Sequence, residues 1–168
     1  MNAIARCLCA CSVLTVLALP LEASDKKIYP ASSCQVSSES VGGVAFYNDQ
    51  GRIYNNSVNG TLTLLCPIVR DSTISDLDSV SVVVRNPQPE DVHVNVWCTI
   101  YSRHADGTLF KMQDRFLASS ANTGWTTLTF DPLLAVDNGY YLLVCRFPAR
   151  FGNSNTGITS YSVTEKVS

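Results

Sequence analysis

The sequence lacks any cluster of basic residues and carries little charge overall. Its 168 residues include 12 Lys and Arg against 14 Asp and Glu, which gives a formal net charge of −2. Charged residues make up only 15% of the chain, and the basic ones are scattered along it. A nucleic-acid surface or a polybasic membrane patch needs clustered positive charge. We therefore expect no nucleic-acid partner.

The sequence has one long apolar run, which lies at its N-terminus. In that N-terminal segment Arg6 precedes the apolar run from Cys7 to Leu19, and a small-residue end at Ala23 follows. This order is typical of a secretory signal peptide, and the run is shorter than the roughly 20 residues that span a bilayer. We predict a signal peptide over 1–23 and a single domain over 24–168, secreted or periplasmic and with no membrane span after cleavage.

Catalytic motifs are also missing. No G-x-S-x-G, P-loop, H-E-x-x-H or EF-hand pattern occurs. Both histidines, His93 and His104, lie in the segment VHVNVWCTIYSRH, and a Ser-His-Asp site would need one of them as its base. His104 falls beside a predicted turn, where a solvated histidine is the simpler interpretation. We expect no catalytic residue, no cofactor and no enzymatic activity.

The densest group of carboxylates lies in the segment DSTISDLDS. Its members Asp71, Asp76 and Asp78 are candidate calcium ligands, because oxygen-rich loops can hold that ion. Turn chemistry leading into a strand explains the same residues, and we favour that interpretation. No two cysteines after the signal peptide have the C-x-x-C spacing of many zinc sites, so we predict no bound metal and keep calcium as the alternative.

Helical periodicity is absent as well, and short runs rich in Val, Thr, Ile and aromatics replace it. Turn segments such as NDQG, NPQPED, HADG and VDNG separate these runs. The pattern predicts an all-β, antiparallel, jelly-roll-like β-sandwich of eight or nine strands. The predicted strands are Gly43–Tyr47, Arg52–Tyr54, Thr61–Cys66, Ser79–Arg85, Val92–Arg103, Thr108–Leu117, Thr126–Phe130, Tyr140–Phe147 and Ile158–Val163.

Four cysteines remain after removal of the signal peptide: Cys34, Cys66, Cys98 and Cys145. An even number in an exported chain predicts two disulfides. Alternate residues of a strand share a face, so Cys98 lies with Val96 on an apolar face while His93 points the other way. Cys98 is then a structural brace rather than a nucleophile. Of three possible pairings we favour Cys34–Cys66, which would hold the N-terminal arm, and Cys98–Cys145, a bridge inside the sandwich.

The opposite face of the same run carries polar and aromatic residues. Asn95, Trp97, Tyr101 and Arg103 form the candidate ligand surface, with the two aromatic residues about 13 Å apart along the strand. In the alternative, other side chains cover this face. Two segments, N-N-S at Asn55 and N-G-T at Asn59, also fit the N-glycosylation pattern.

Two resemblances follow from these motifs. The segment DNGYYLLVC is similar to the D-x-G-x-Y-x-C corner of immunoglobulin domains, but Tyr141 precedes Cys145 by four residues rather than two, so we reject membership of that family. The ordered segments SSC, LCPIVRD, VWCTIY, GWTTLTF, GYYLLVC and ITSYSVTE resemble a group of small secreted bacterial β-sandwich proteins with disulfides. That resemblance implies the fold of nearly the whole exported chain and no catalytic residues, since the group has no assigned activity.

Three functional hypotheses remain. The leading one is an exported non-enzymatic β-sandwich domain that binds a glycan, cell-surface or protein ligand. The alternative is a structural or assembly component of an envelope or appendage. A hydrolase is third. The sequence leaves the identity of the ligand and the oligomeric state open.

Overall fold

The computed structural model describes residues 25–72, 75–120 and 124–166. The predicted signal peptide lies outside these residues. Helix is limited in the described ranges to two short 3₁₀ turns, Ala31–Ser33 and Glu90–Val92. No helix in this part of the chain is long and apolar enough to cross a bilayer.

Eleven strands run through the described residues and form two sheets. They are β1 (Asp25–Pro30), β2 (Gln35–Val36), β3 (Ala45–Tyr47), β4 (Ile53–Asn55), β5 (Leu62–Ile68), β6 (Leu77–Arg85), β7 (Val96–Arg103), β8 (Leu109–Leu117), β9 (Thr126–Phe130), β10 (Tyr140–Phe147) and β11 (Gly157–Glu165). Sheet A has the order β3-β4-β11-β6-β9, with β1 also paired to β11, and sheet B has the order β2-β5-β10-β7-β8. The strand pairings within both sheets are antiparallel, which confirms the predicted all-β sandwich.

The core lies between the inner faces of the two sheets. Strands such as β7 alternate buried with more exposed residues, because successive side chains of a strand point to opposite faces. The two largest fully buried side chains are Tyr141 and Tyr161. Their hydroxyls donate to the carbonyls of Leu133 (3.1 Å) and Pro67 (2.7 Å), which satisfies the polar end of each buried ring. Burial raises the pKa of each phenol to about 12.

The sequence prediction missed two strands near the N-terminus. β1 has the polar sequence DKKIYP, whose residues are exposed or only partly buried, so it carries no local strand pattern. It forms because it pairs along its length with the C-terminal half of β11, from Asp25–Glu165 to Pro30–Ser160. β2 is two residues long and pairs with β5. These additions account for eleven strands instead of eight or nine.

The strand predicted from Val92 starts later in the structure. Glu90–Val92 forms a 3₁₀ turn and His93 follows in the left-handed conformation, with φ of 50°. The strand β7 therefore begins at Val96, and His93 has no place in its face alternation. The argument that set His93 opposite Cys98 on one strand was wrong, although Cys98 is indeed buried and oxidised.

Two disulfides join Cys34 to Cys66 and Cys98 to Cys145, the pairs that the sequence favours. Both lie within sheet B. Cys98 and Cys145 are directly opposite each other on the neighbouring strands β7 and β10, and Cys34 immediately precedes β2, which pairs with β5. The disulfides therefore brace adjacent strands rather than linking the two layers, because face alternation fixes inward or outward but not which strands are neighbours.

Candidate ligand-binding groove

The candidate site lies on the outer face of sheet B. The alternation that buries Cys98 turns Trp97, Thr99 and Tyr101 of β7 outward. In an antiparallel pair, directly opposite residues share a face, and register places three residues of β8 beside them. The opposite pairs are Trp97–Phe116, Thr99–Asp114 and Tyr101–Met112.

On the other side, β10 completes the surface. Arg146 is opposite Trp97, and Val144 is opposite Thr99. Together the three strands form an open groove of about 240 Å³, which we call the sheet B groove. It is lined by Trp97, Thr99, Tyr101, Met112, Asp114, Val144 and Arg146.

The aromatic residues give the groove an apolar surface. Trp97 is 43% exposed and its ring packs against Phe116, with centroids 5.0 Å apart and planes tilted by 36°. Tyr101 is half-buried, and the Arg103 guanidinium lies 5.0 Å from its ring centre. Arg103 is held there because it also donates to the Gly107 carbonyl at 2.6 Å. Trp97 is therefore the more open ring, while Tyr101 is supported from one side.

The polar residues of the groove are a carboxylate and a guanidinium. Thr99 Oγ1 donates to Asp114 Oδ1 at 2.5 Å, which fixes that carboxylate. Arg146 Nη2 is 3.4 Å from Glu39 Oε2, but both side chains are more than half exposed. Exposed pairs of this kind contribute little, so the Arg146 guanidinium is available to another acceptor. The arrangement suits hydrogen bonding to a polar, uncharged ligand.

No family model matches the chain, and no curated protein is similar to it. Among solved structures, the chain is similar to the xylan-binding module CBM86 from Roseburia intestinalis (16% identity, TM-score 0.48, 84% of this chain and 96% of that one). It is also similar to the C-terminal CBM6 of LamC from Zobellia galactanivorans (13% identity, TM-score 0.47, 83% of this chain and 99% of that one). A third similar structure is the arabinose-bound α-L-arabinofuranosidase MgGH51 (9% identity, TM-score 0.49, 82% of this chain and 24% of that one).

The structure brings together part of the ligand surface predicted from the sequence. Trp97 and Tyr101 line the groove, and Arg103 lies against Tyr101. Asn95 precedes β7 and is half-buried outside the groove lining. The prediction missed Met112, Asp114 and Arg146 among other lining residues, because their place depends on the register between strands. The Asp106-Gly107 turn between β7 and β8 is a sequence signal that could have identified the lining residues on β8.

The three carboxylates considered as calcium ligands do not form one group. Asp71 pairs with Lys27 at 2.6 Å, Asp76 Oδ1 accepts the Ala135 amide at 2.6 Å, and Asp78 is exposed on β6. Within the ranges that the structure describes, no three His, Cys, Asp or Glu residues form a group that could hold a metal ion. His104 packs edge-on against Phe110, with ring centres 5.6 Å apart.

A cluster of charged side chains outside the groove connects β1 to sheet A. Lys27 Nζ contacts Asp71 at 2.6 Å and the buried Glu165 at 3.1 Å, and Glu165 also accepts the Asp71 and Ser72 amides. The hydrogen bond with Lys27 lowers the pKa of Asp71, while the hydrogen bond with Asp71 raises the pKa of Asp25. Lys27 and two backbone amides donate to these carboxylates and join β1 to the Asp71 loop and to β11, so the cluster has a structural role.

Proposed function

We propose that this chain is an exported, non-enzymatic domain that binds a glycan in the sheet B groove. One observation carries the proposal: the Trp97 ring is exposed on an open groove, next to a fixed carboxylate and an available guanidinium. Binding sites combine a mostly apolar surface with a few placed polar groups that orient the ligand. A sugar ring presents apolar C–H faces and polar hydroxyl edges, which match this combination.

The shape of the groove supports an extended ligand. Trp97 and Tyr101 are about 13 Å apart along β7, so a chain of several sugar units could lie parallel to the strand. Asp114 would accept hydroxyl hydrogens, and Arg146 would donate to hydroxyl or ring oxygens. The opposite charges of these two side chains favour a neutral glycan over a strongly anionic one in this groove.

The groove chemistry also supports a binding role over hydrolysis. Glycoside hydrolysis ordinarily uses two carboxyl groups flanking the bond that breaks. Among the described lining residues, Asp114 is the single carboxylate, and Thr99 hydrogen-bonds to it. Export as a secreted or periplasmic domain, after cleavage near Ala23, belongs to the same proposal, because two disulfides are typical of an oxidising compartment.

The proposal is tested by affinity electrophoresis against a panel of soluble neutral polysaccharides. We expect retardation by at least one polysaccharide, and Trp97→Ala should weaken that binding at least tenfold because the stacking surface is removed. Tyr101→Ala should weaken it less. Phe151→Ala, which removes an even more exposed aromatic residue outside the groove, should bind like the parent. Equal binding by the Trp97 and Phe151 variants, or no binding at all, would contradict the proposal.

A second function, assembly through a protein interface, is favoured by the exposed apolar residues of β8. Leu109, Phe110, Met112 and Phe116 are each 44–54% exposed, and contiguous apolar patches commonly mark interaction sites. Sedimentation velocity over a range of concentrations separates the two functions. A monomer that binds polysaccharide supports the glycan proposal, whereas stable association lost in Phe116→Ser, with no polysaccharide bound, supports assembly.

A further inference from the structure

A second group of aromatic and cationic residues lies on the outer face of sheet A. Tyr54 of β4 and Arg85 of β6 are both paired with Gly157 of β11, so they share one face at one level of the sheet. Trp125 immediately precedes β9 at the same level, and Arg52 precedes β4. We call Arg52, Tyr54, Arg85 and Trp125 the sheet A cluster. All four residues are half-buried.

Gly157 makes the close approach of these side chains possible. A Cβ at this position would lie 2.6 Å from the Ile53 carbonyl oxygen and 2.8 Å from Tyr54 Cδ1. The Tyr54 ring therefore covers the backbone of β11, which only glycine permits. From there the ring reaches Trp125, with centroids 6.0 Å apart and planes tilted by 53°. The cluster extends across four neighbouring strands, β4, β11, β6 and β9.

Two guanidinium groups converge on the same indole. Arg52 lies 5.3 Å and Arg85 lies 5.7 Å from the centre of the Trp125 ring, and Arg85 is also 5.9 Å from the Tyr54 ring. Cation–π attraction stabilises each one. However, among the described residues no carboxylate oxygen lies within 4.0 Å of either guanidinium group. Two like charges therefore share one aromatic ring without a counter-ion from this part of the chain.

Arg85 shows a second, independent deficit. Its Nε is buried and has no hydrogen-bond partner within the described ranges. A buried donor without an acceptor costs about 1–3 kcal/mol, and a water or an ion is among the explanations for such a group. Arg70 Nε and Arg150 Nε lack partners in the same way, but Arg85 alone of the three belongs to this cluster. The two unpaired charges and the unpaired donor belong to the same cluster.

We propose that the sheet A cluster is an oxyanion site that takes a single carboxylate or sulfate group between Arg52 and Arg85. Guanidinium groups form paired, charge-assisted hydrogen bonds to such oxygens, and the aromatic rings would contact the remainder of the ligand. Nucleic acid does not fit, because its phosphate backbone needs many cations while this chain has a net charge of −2. This site is separate from the sheet B groove and does not depend on the function proposed for it.

The chain offers a direct optical test. It contains two tryptophans, so in a Trp97→Phe background Trp125 is the only indole and its fluorescence reports on the cluster. This protein is titrated with sodium sulfate, with trigalacturonate and with an uncharged trisaccharide, at ionic strength held constant with sodium chloride. We expect a saturable fluorescence change with one or both anions and none with the uncharged sugar. Tighter binding of trigalacturonate would identify an acidic sugar, and equal binding a free oxyanion.

Matched variants decide the assignment. Arg52→Gln and Arg85→Gln should each weaken anion binding at least tenfold, while Arg146→Gln, which removes the guanidinium of the sheet B groove, should leave it unchanged. If Arg85→Gln does not fold, Arg52→Gln carries the test, together with the NMR shift of Arg85 Nε–H on adding sulfate. No saturable change, or a change that both arginine variants retain, would overturn the proposal. In a chain that keeps Trp97, Arg52→Gln and Arg85→Gln should leave polysaccharide retardation at the sheet B groove unchanged, so the two proposals fail separately.

Discussion

At the scale of single residues, hydrogen bonding decides which polar side chains can be buried. Asn55 is fully buried, while Asn59, four residues later, is exposed. The Asn55 side chain bonds to three carbonyls and two backbone amides, those of Gly60, Phe147, Pro148, Val44 and Ser57. The sequence offers both asparagines as glycosylation acceptors, but a glycan on Asn55 is incompatible with this fold.

The first prediction compares these two asparagines. Asn55→Ala should lower the free energy of unfolding by about 2–4 kcal/mol, because several buried backbone groups would lose their partners. Asn59→Ala should change it by less than about 0.5 kcal/mol, as is usual for exposed positions. Urea denaturation of both variants measures the difference. Equal stabilities would show that water replaces the Asn55 amide without cost.

The second prediction concerns the two buried tyrosines. Burial raises the pKa of Tyr141 and Tyr161 from 10.0 to about 12. Because the pKa of each phenol is higher in the folded than in the unfolded state, the neutral phenols contribute fully to the free energy of unfolding below pH 10. That contribution is lost as the pH rises from 10 towards 12. Each phenol should then cost up to about 3 kcal/mol of stability. Denaturant midpoints measured between pH 9 and 12 should fall steeply above pH 10.

A conservative variant checks the source of this alkaline instability. Tyr141→Phe removes the ionisable group but keeps the ring, so the fall in stability above pH 10 should become shallower. At pH 7 the variant should lose about 1 kcal/mol, because the hydroxyl no longer donates to Leu133. An unchanged slope would place the instability in other groups.

At the scale of strands, the sequence shows face alternation well and strand neighbours poorly. Alternation predicts that Cys98 is buried and that Trp97 and Tyr101 face outward, and both hold in the structure. It cannot show that β10 lies on the other side of β7, which is why Arg146 was missed as a neighbour of Trp97. The Asp106-Gly107 turn does indicate that β8 follows β7 in a hairpin, but alternation alone does not give the register that sets Asp114 opposite Thr99. β1 was missed for the same reason, since long-range pairing with β11 rather than local sequence makes it a strand.

The third prediction compares the two disulfides within sheet B. They close loops with sequence separations of 32 and 47, for which the chain-entropy model gives about 4 kcal/mol each. Replacing Cys98 and Cys145 together by Ala should lower the melting temperature on the order of 10 °C. Replacing Cys34 and Cys66 by Ala should cost less, because β2 is a two-residue strand at the edge of the sheet. Thermal unfolding by circular dichroism ranks the two variants, and a reversed order would contradict this account.

At the scale of the whole molecule, the two ends of the described chain meet in sheet A. β1 shares one side of β11 with β4: β4 pairs near Gly157, and β1 pairs from Ser160 to Glu165. Tyr29 of β1 stacks on the buried Tyr161, with ring centres 4.9 Å apart, and Lys27 supplies the cation for Glu165. A segment with little apolar burial of its own therefore covers both a sheet edge and a buried carboxylate.

The fourth prediction follows from these two tasks of β1. Deleting residues 25–30 should expose the Ser160–Glu165 edge of β11 and remove Lys27 from Glu165. Loss of one partner of a buried ion pair typically costs about 3 kcal/mol or more, and an uncovered strand edge promotes association between copies. Differential scanning calorimetry should show a lower melting temperature, and light scattering should show concentration-dependent association.

The variant Lys27→Met separates the two causes, because it removes the ammonium group and keeps the strand. It should lower the melting temperature without causing association between copies. A truncated chain that melts like the parent would mean that β11 needs no cover.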